Sequence, residues 1–176
     1  MSNLVKAKCE VCETEYTYLF GNDATFFPVR IFLDGMIKSQ KDLFNFDNFK
    51  QVVSEQLSQD PTFMFQEESK RNEGIEKLYK AATIFFWENE KELLKSKILL
   101  SFDTFWAPAF LNDPDPEKRT IHNMMLLEMK FLDGTVYKRR FTKDILFVQV
   151  TDNSKKFTCP KEMEQNAIYI SDEFVA

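Results

Sequence analysis

Glycine is scarce in this chain, with 4 among 176 residues. A Gly-rich phosphate cradle needs the close backbone approach that only glycine permits, so that class of nucleotide site is excluded. Histidine is scarcer still: His122 stands alone. Any Ser-His-Asp or Cys-His unit would have to use it. It sits in Thr120–Met124 at the start of an expected strand, with no nucleophile signature nearby, and reads as a solvated strand-edge residue. The three cysteines, Cys9, Cys12 and Cys159, are too few for a disulfide framework and fit a reducing compartment, the cytoplasm or nucleus. No apolar run approaches the ~18 residues of a membrane helix. The first residues, Met1 to Lys6, carry no apolar leader core. Calcium loops, metalloprotease helices and dinucleotide fingerprints are absent as well.

Positive charge is also short. The formal net charge is −5 and the isoelectric point is near 5.1. Reading nucleic acid through its phosphates needs a basic surface, so direct nucleic-acid binding is not expected. The densest basic run, Lys138-Arg139-Arg140 with Lys143, reads as a solvated strand face. What the chain does have is phenylalanine, 19 of them. Most must be core, because aromatic side chains bury large areas. A surplus left on a sheet face would mark a partner surface.

The order of elements favours an α+β domain. Residues 1–23 read as a polar N-terminal arm, extended or hairpin, and residues 24–176 as a single domain. Ala24–Ser39 fits a helix or a strand by spacing, and helix is the reading adopted from the order of elements. In Asp42–Ser58, Phe46, Phe49, Val53 and Leu57 make one apolar stripe at helical spacing, with Asp42 as N-cap. Asp60-Pro61 should stop that helix, and Thr62–Phe65 reads as a short strand. A helix with Ile75, Leu78, Tyr79 and Ala82 on one face follows, then β-prone Thr83–Trp87. Expected strands are Ile98–Trp106, Asn123–Leu132, a long bent Thr135–Val150, and Ala167–Val175. Asp133-Gly134 signals a hairpin. Ala107–Arg119 and Thr151–Asn166 read as loops.

Helices first and a curved antiparallel sheet last resembles the nuclear-transport-factor-2-like family, a cone-shaped α+β fold. Phe131–Val136 looks like that family's central hairpin. Arg140–Val148 and Ile168–Val175 look like the last two strands of this domain in messenger-RNA export receptors. The resemblance covers residues 24–176. It implies helices packed under the sheet and a sheet surface that pairs with a second copy or a related partner. Nuclear transport or RNA-processing assemblies would be the setting. The expected function is therefore a non-enzymatic protein-interaction or dimerisation module, with no cofactor. Phe131, Tyr137, Phe141, Phe147 and Tyr169 are its candidate partner surface.

Two alternatives come from other residues. Enzymes of the same fold place Asp, Tyr or His inside the cone, so the first alternative is a small-molecule-binding or isomerase-like cone pocket using Asp103. Asp103 interrupts Leu99–Phe102 and Thr104–Trp106, and inside an apolar cone it would be a base with a raised pKa. Glu128 interrupts its strand in the same way. On a sheet with one wet face, both would simply point outward. The second alternative is a zinc-stabilised adaptor. Cys9-x-x-Cys12 followed by Tyr16 resembles the first knuckle of a zinc ribbon. A second Cys-x-x-Cys is missing, so four ligands would require Cys159 and His122 to join the first pair. The expectation for metal is none, with Cys9, Cys12, Cys159 and His122 as the only candidate set.

Overall fold

Short acidic and amide side chains ahead of helix starts decide several element boundaries. In the computed structural model, which describes every residue except Asp152, Ser154 and Ala176, Asp60 Oδ1 accepts from the Thr62 amide at 2.8 Å. Pro61 takes the first position of a four-residue helix, where its missing N–H costs nothing. Asp60-Pro61 therefore opens a helix, and the strand expected over Thr62–Phe65 is replaced by it. Asp115-Pro116 does the same for a 3-10 turn over Pro116–Lys118. Asn45 caps the helix expected from Asp42, accepting from the Asn48 amide at 3.1 Å. Asp42 instead closes a turn onto Phe44.

The helices are α1 (Phe27–Ser39), α2 (Phe46–Leu57), α3 (Pro61–Met64), α4 (Glu68–Phe85) and α5 (Glu88–Ser96). The strands are β1 (Ser2–Cys9), β2 (Glu15–Gly21), β3 (Leu99–Leu111), β4 (His122–Phe131), β5 (Val136–Lys138), β6 (Ile145–Phe147), β7 (Val150–Thr151), β8 (Lys156–Cys159) and β9 (Glu164–Val175). Their order is β5-β4-β3-β2-β1-β9-β8-β7, with β6 beside β3. Helices packed against antiparallel strands make this the expected α+β class. Several boundaries differ from expectation. Residues 1–23 are a hairpin, and its strands occupy the middle of the strand order. Pro108 does not end β3, which runs on to Leu111. The long strand over Thr135–Val150 is three short ones. The Thr151–Asn166 loop contains β8, while Asp152 and Ser154 lie outside the described residues.

The chain divides into two compact units. The strand unit takes in residues 1–24, 104–127 and 138–176. Its buried core is Val5, Ala7, Cys9, Tyr18, Phe110, Val148, Phe157, Cys159 and Ala167. β1 pairs with β2 on one side and β9 on the other, in registers that set Lys8 opposite Glu15 and Cys9 opposite Ala167. The Tyr18 ring stacks on Phe157 at 5.3 Å, and its hydroxyl donates to the Thr158 carbonyl at 2.9 Å. Arg139, expected on a solvated face, is 9% exposed. Its guanidinium donates to the Met125 carbonyl and its amide to Leu127, which explains why the predicted long strand breaks here.

The helical unit takes in residues 25–103 and 128–137. Its core is aromatic. Phe32 lies 5.0 Å from Phe44, 5.6 Å from Phe49 and 5.4 Å from Phe86, ring centre to ring centre. Helix α1 packs on α4 and α2. Gly35 makes the α1–α2 contact close: a Cβ there would meet Leu43 Cδ1 at 2.9 Å and Val52 Cγ1 at 3.1 Å. β-prone Thr83–Phe85 is helical, the last turn of α4. Buried Glu90 ties α5 to β5. It accepts from the Trp87 amide at 2.9 Å and from the Tyr137 hydroxyl at 2.8 Å. The β4–β5 turn is the expected Asp133-Gly134, with Gly134 at φ +87° and Asp133 Oδ1 accepting from the Thr135 amide.

Candidate metal centre

The β1–β2 turn begins at buried Cys9. The Cys9 amide donates to the Thr14 carbonyl at 3.0 Å, and the Glu13 amide donates back to Cys9 at 3.1 Å. Glu13 closes the turn in the left-handed region, at φ 58°. This geometry turns two amides, from Val11 and Cys12, onto the Cys9 sulfur at 3.4 and 3.5 Å.

The strand unit brings Cys159 to the same place from β8 (Lys156–Cys159). Cys159 ends β8, two strands from β1 in the strand order. The sulfurs of Cys9, Cys12 and Cys159 all lie within 4.8 Å of one another, and Cys12 Sγ is 3.6 Å from Cys159 Sγ. All three thiols are free. Tetrahedral zinc with Zn–S bonds of ~2.3 Å sets its sulfurs about 3.8 Å apart. The cluster is close to that spacing already. Soft thiolates select zinc, copper(I) or iron–sulfur chemistry over hard cations.

No family model, curated protein or solved structure matches this chain. The cluster must be read on its own chemistry.

The Tyr16 hydroxyl caps the group, 3.4 Å from Cys159 and 3.7 Å from Cys12. Burial, followed by its two sulfur partners, pushes the Tyr16 pKa above the ordinary phenol value, so it stays a neutral donor. The two closest thiols differ. Burial opposes ionisation of Cys12, but hydrogen bonds from Thr14, Tyr16 and Cys159 outweigh it and bring its pKa down to about 7. Burial dominates at Cys159 and pushes its pKa up to about 11, despite donors from Tyr16 and the Glu162 backbone. One thiolate therefore forms readily in the free protein. The others would be deprotonated by the ion itself, as metal binding to thiols requires.

Three of the four candidate ligands are thus together. His122 is not. It is exposed at the start of β4, with Nε2 3.2 Å from the Thr120 hydroxyl, and it stands outside the metal-capable group found among the described residues. Asp103 is exposed on β3. The enclosed carboxylate that a cone-type base requires is not formed there. Glu128 is half-buried on β4. An open groove of about 590 Å³ in the strand unit is lined by Phe110, Leu146, Phe147 and Thr158, and its one carboxylate, Glu164, sits near Asn166 Nδ2.

The expected partner residues do not make one surface. Phe131 is 2% exposed and belongs to the core. Alternation on β4 put it inward, as it does Leu127 and Met129. Tyr137 is half-buried with its hydroxyl on Glu90. In the strand unit Phe141 and Phe147 pair at 5.8 Å, and Tyr169 carries Lys155 Nζ over its ring at 4.2 Å. Large apolar side chains that are exposed there include Val11, Ile170 and Phe174, at 61%, 49% and 72%. Strand alternation alone did not point to them, because the pairing partners that cover or bare a face are distant in sequence.

Proposed function

We propose that this chain is a non-enzymatic interaction module whose strand unit is clamped by a zinc ion on Cys9, Cys12 and Cys159. The observation that carries the reading is the convergence of three free sulfurs from two turns, two of them fully buried. Among the described residues no imidazole or carboxylate joins the three-sulfur group, which suits a structural ion better than a catalytic one. An ion held there would join the β1–β2 turn to the end of β8 and contribute folding free energy directly. Exposed Val11, Ile170 and Phe174 support an apolar docking surface carried on the same unit. A sheet-borne partner surface is also what the nuclear-transport-factor-2-like resemblance implies, with a second copy or a related protein as the partner. Elemental analysis of the full chain, purified without chelator, tests the clamp. About one zinc per chain, lost in Cys9→Ser, is the expected result. A native chain free of metal after zinc loading overturns it.

A further inference from the structure

The turn after Cys159 repeats the turn after Cys9. Cys9 faces Thr14 five residues on, and Cys159 faces Glu164 five residues on. The Glu13 amide donates to the Cys9 carbonyl at 3.1 Å, and the Met163 amide donates to the Cys159 carbonyl at 2.7 Å. Glu13 and Met163 both stand at φ 58°, and they are two of only four non-glycine residues with positive φ among those described. The two turns share this amide-to-carbonyl bond, their left-handed residue and their length. In the first, the third residue after the cysteine is Cys12. In the second it is Glu162.

We infer that Glu162 is the fourth ligand of the zinc site, in the position that a second Cys-x-x-Cys would give to sulfur. This rests on the zinc reading above. Glu162 thus holds in the second turn the place that Cys12 holds in the first. The Glu162 side chain is exposed, and its carboxylate stands outside the three-sulfur group. It is two bonds longer than cysteine, so rotation about its side-chain torsions brings an oxygen in without moving the backbone. Carboxylate oxygen is an ordinary zinc ligand at ~2.0–2.2 Å. Three thiolates and one carboxylate overcompensate a divalent ion by two charges. The amides of Val11 and Cys12 offset part of that excess.

The second turn is also braced from outside. The Arg119 guanidinium donates to the Lys161 carbonyl at 2.7 Å, and Lys161 Nζ pairs with Glu117 at 2.8 Å. A turn held this way presents its third residue in one place, which is what a ligand position needs.

The test uses zinc and cobalt(II) with the full chain and two variants, Glu162→Gln and Glu162→Cys. Both change an exposed side chain, and circular dichroism checks that each folds. Removing an outer-shell group already costs ~10–100-fold in metal affinity, so Glu162→Gln should weaken zinc at least about tenfold in chelator competition. Glu162→Cys should hold zinc at least as tightly as the native chain. Its cobalt form should gain sulfur-to-metal charge-transfer absorption, roughly by the ratio of four sulfurs to three. Native zinc with an unchanged Glu162→Gln affinity and no added absorption in Glu162→Cys would overturn the assignment of Glu162 alone, leaving solvent or Tyr16 as the fourth ligand. A native chain that binds no zinc overturns the clamp and this inference together.

Discussion

The two units of this molecule are built on opposite plans. The helical unit closes on contacts of shorter reach: Phe32 meets Phe44, Phe49 and Phe86, and the widest of these spans 86 − 32 = 54 positions. The strand unit closes on contacts between segments that are far apart. Cys12 and Cys159 meet across 147 positions. Aromatic packing suffices for the first, because rings bury much apolar area at little entropic cost. The second has a smaller apolar core and gathers its polar and sulfur groups at one end of the sheet. Closing long loops is entropically costly, and a cross-link at the point of closure is where an added bond stabilises most. The contrast gives the proposed clamp a physical motive in the strand unit that the helical unit lacks.

The contrast can be broken by substitution. Phe32→Ala removes the ring at the centre of the helical unit, which is fully buried. A loss of about 3–5 kcal/mol is expected, as for large-to-small changes in tight cores. Denaturant melts that show under ~1 kcal/mol would mean that the aromatic cluster is not the helical unit's keystone. Tyr18→Phe asks the same of the strand unit. It keeps the ring on Phe157 and strands the Thr158 carbonyl that the hydroxyl served. A loss of about 1–2 kcal/mol follows from leaving a buried acceptor unpaired. An unchanged melt would show that solvent reaches that carbonyl.

The smallest effect concerns an exposed pair in the helical unit. The Lys97 ammonium, followed by the Thr135 amide, holds the Asp133 carboxyl down to about 2 from an ordinary 3.8. A depressed carboxyl binds its proton less tightly in the folded state than in the unfolded one. Its contribution is therefore present above pH 3.8 and is lost as pH falls toward 2. Because the pair is exposed, the effect on stability is slight. Carboxyl carbon shifts should show Asp133 titrating near 2 in the native chain and moving up toward 3.8 in Lys97→Met. Identical midpoints in both would remove the pairing as the cause.

Much of the helical unit was legible because its signals are local. The stripe Phe46, Phe49, Val53 and Leu57 recurs at helical spacing, and α2 buries Phe49 and Val53 while half-burying the other two. Asp133-Gly134 announced its turn. Thr62–Phe65 misled, because four residues are too few for periodicity to separate strand from helix, and the Asp60 cap was read only as a stop. Thr135–Val150 misled for another reason. Its alternation is genuine, but Arg139 turns inward to serve two backbone carbonyl positions on β4, a tertiary demand that the pattern does not carry. The metal centre was half legible. Cys9-x-x-Cys12 was visible as a knuckle. Cys159 gave no such signal, because Cys159-Pro160-Lys161-Glu162 has the spacing of a knuckle without its second cysteine. His122 was enlisted only because it is the chain's one imidazole.

The register that sets Ser2 opposite Val175 and Cys9 opposite Ala167 has a consequence for the order of events at the ribosome. β1 is made before every other strand of this sheet, yet one of its two neighbours is not synthesised until residues 164–175 emerge. At ~5–20 residues per second, that delay is on the order of ten seconds. During it, β1 and β2 can form only an isolated hairpin, which is marginally stable in water, while the whole of α1–α5 is already available to collapse. The edge of β1 waits with its amides and carbonyls open, and so do Cys9 and Cys12. A nascent chain halted before β9 would expose a sticky strand and two unguarded thiols together, the combination that cellular quality control is built to catch.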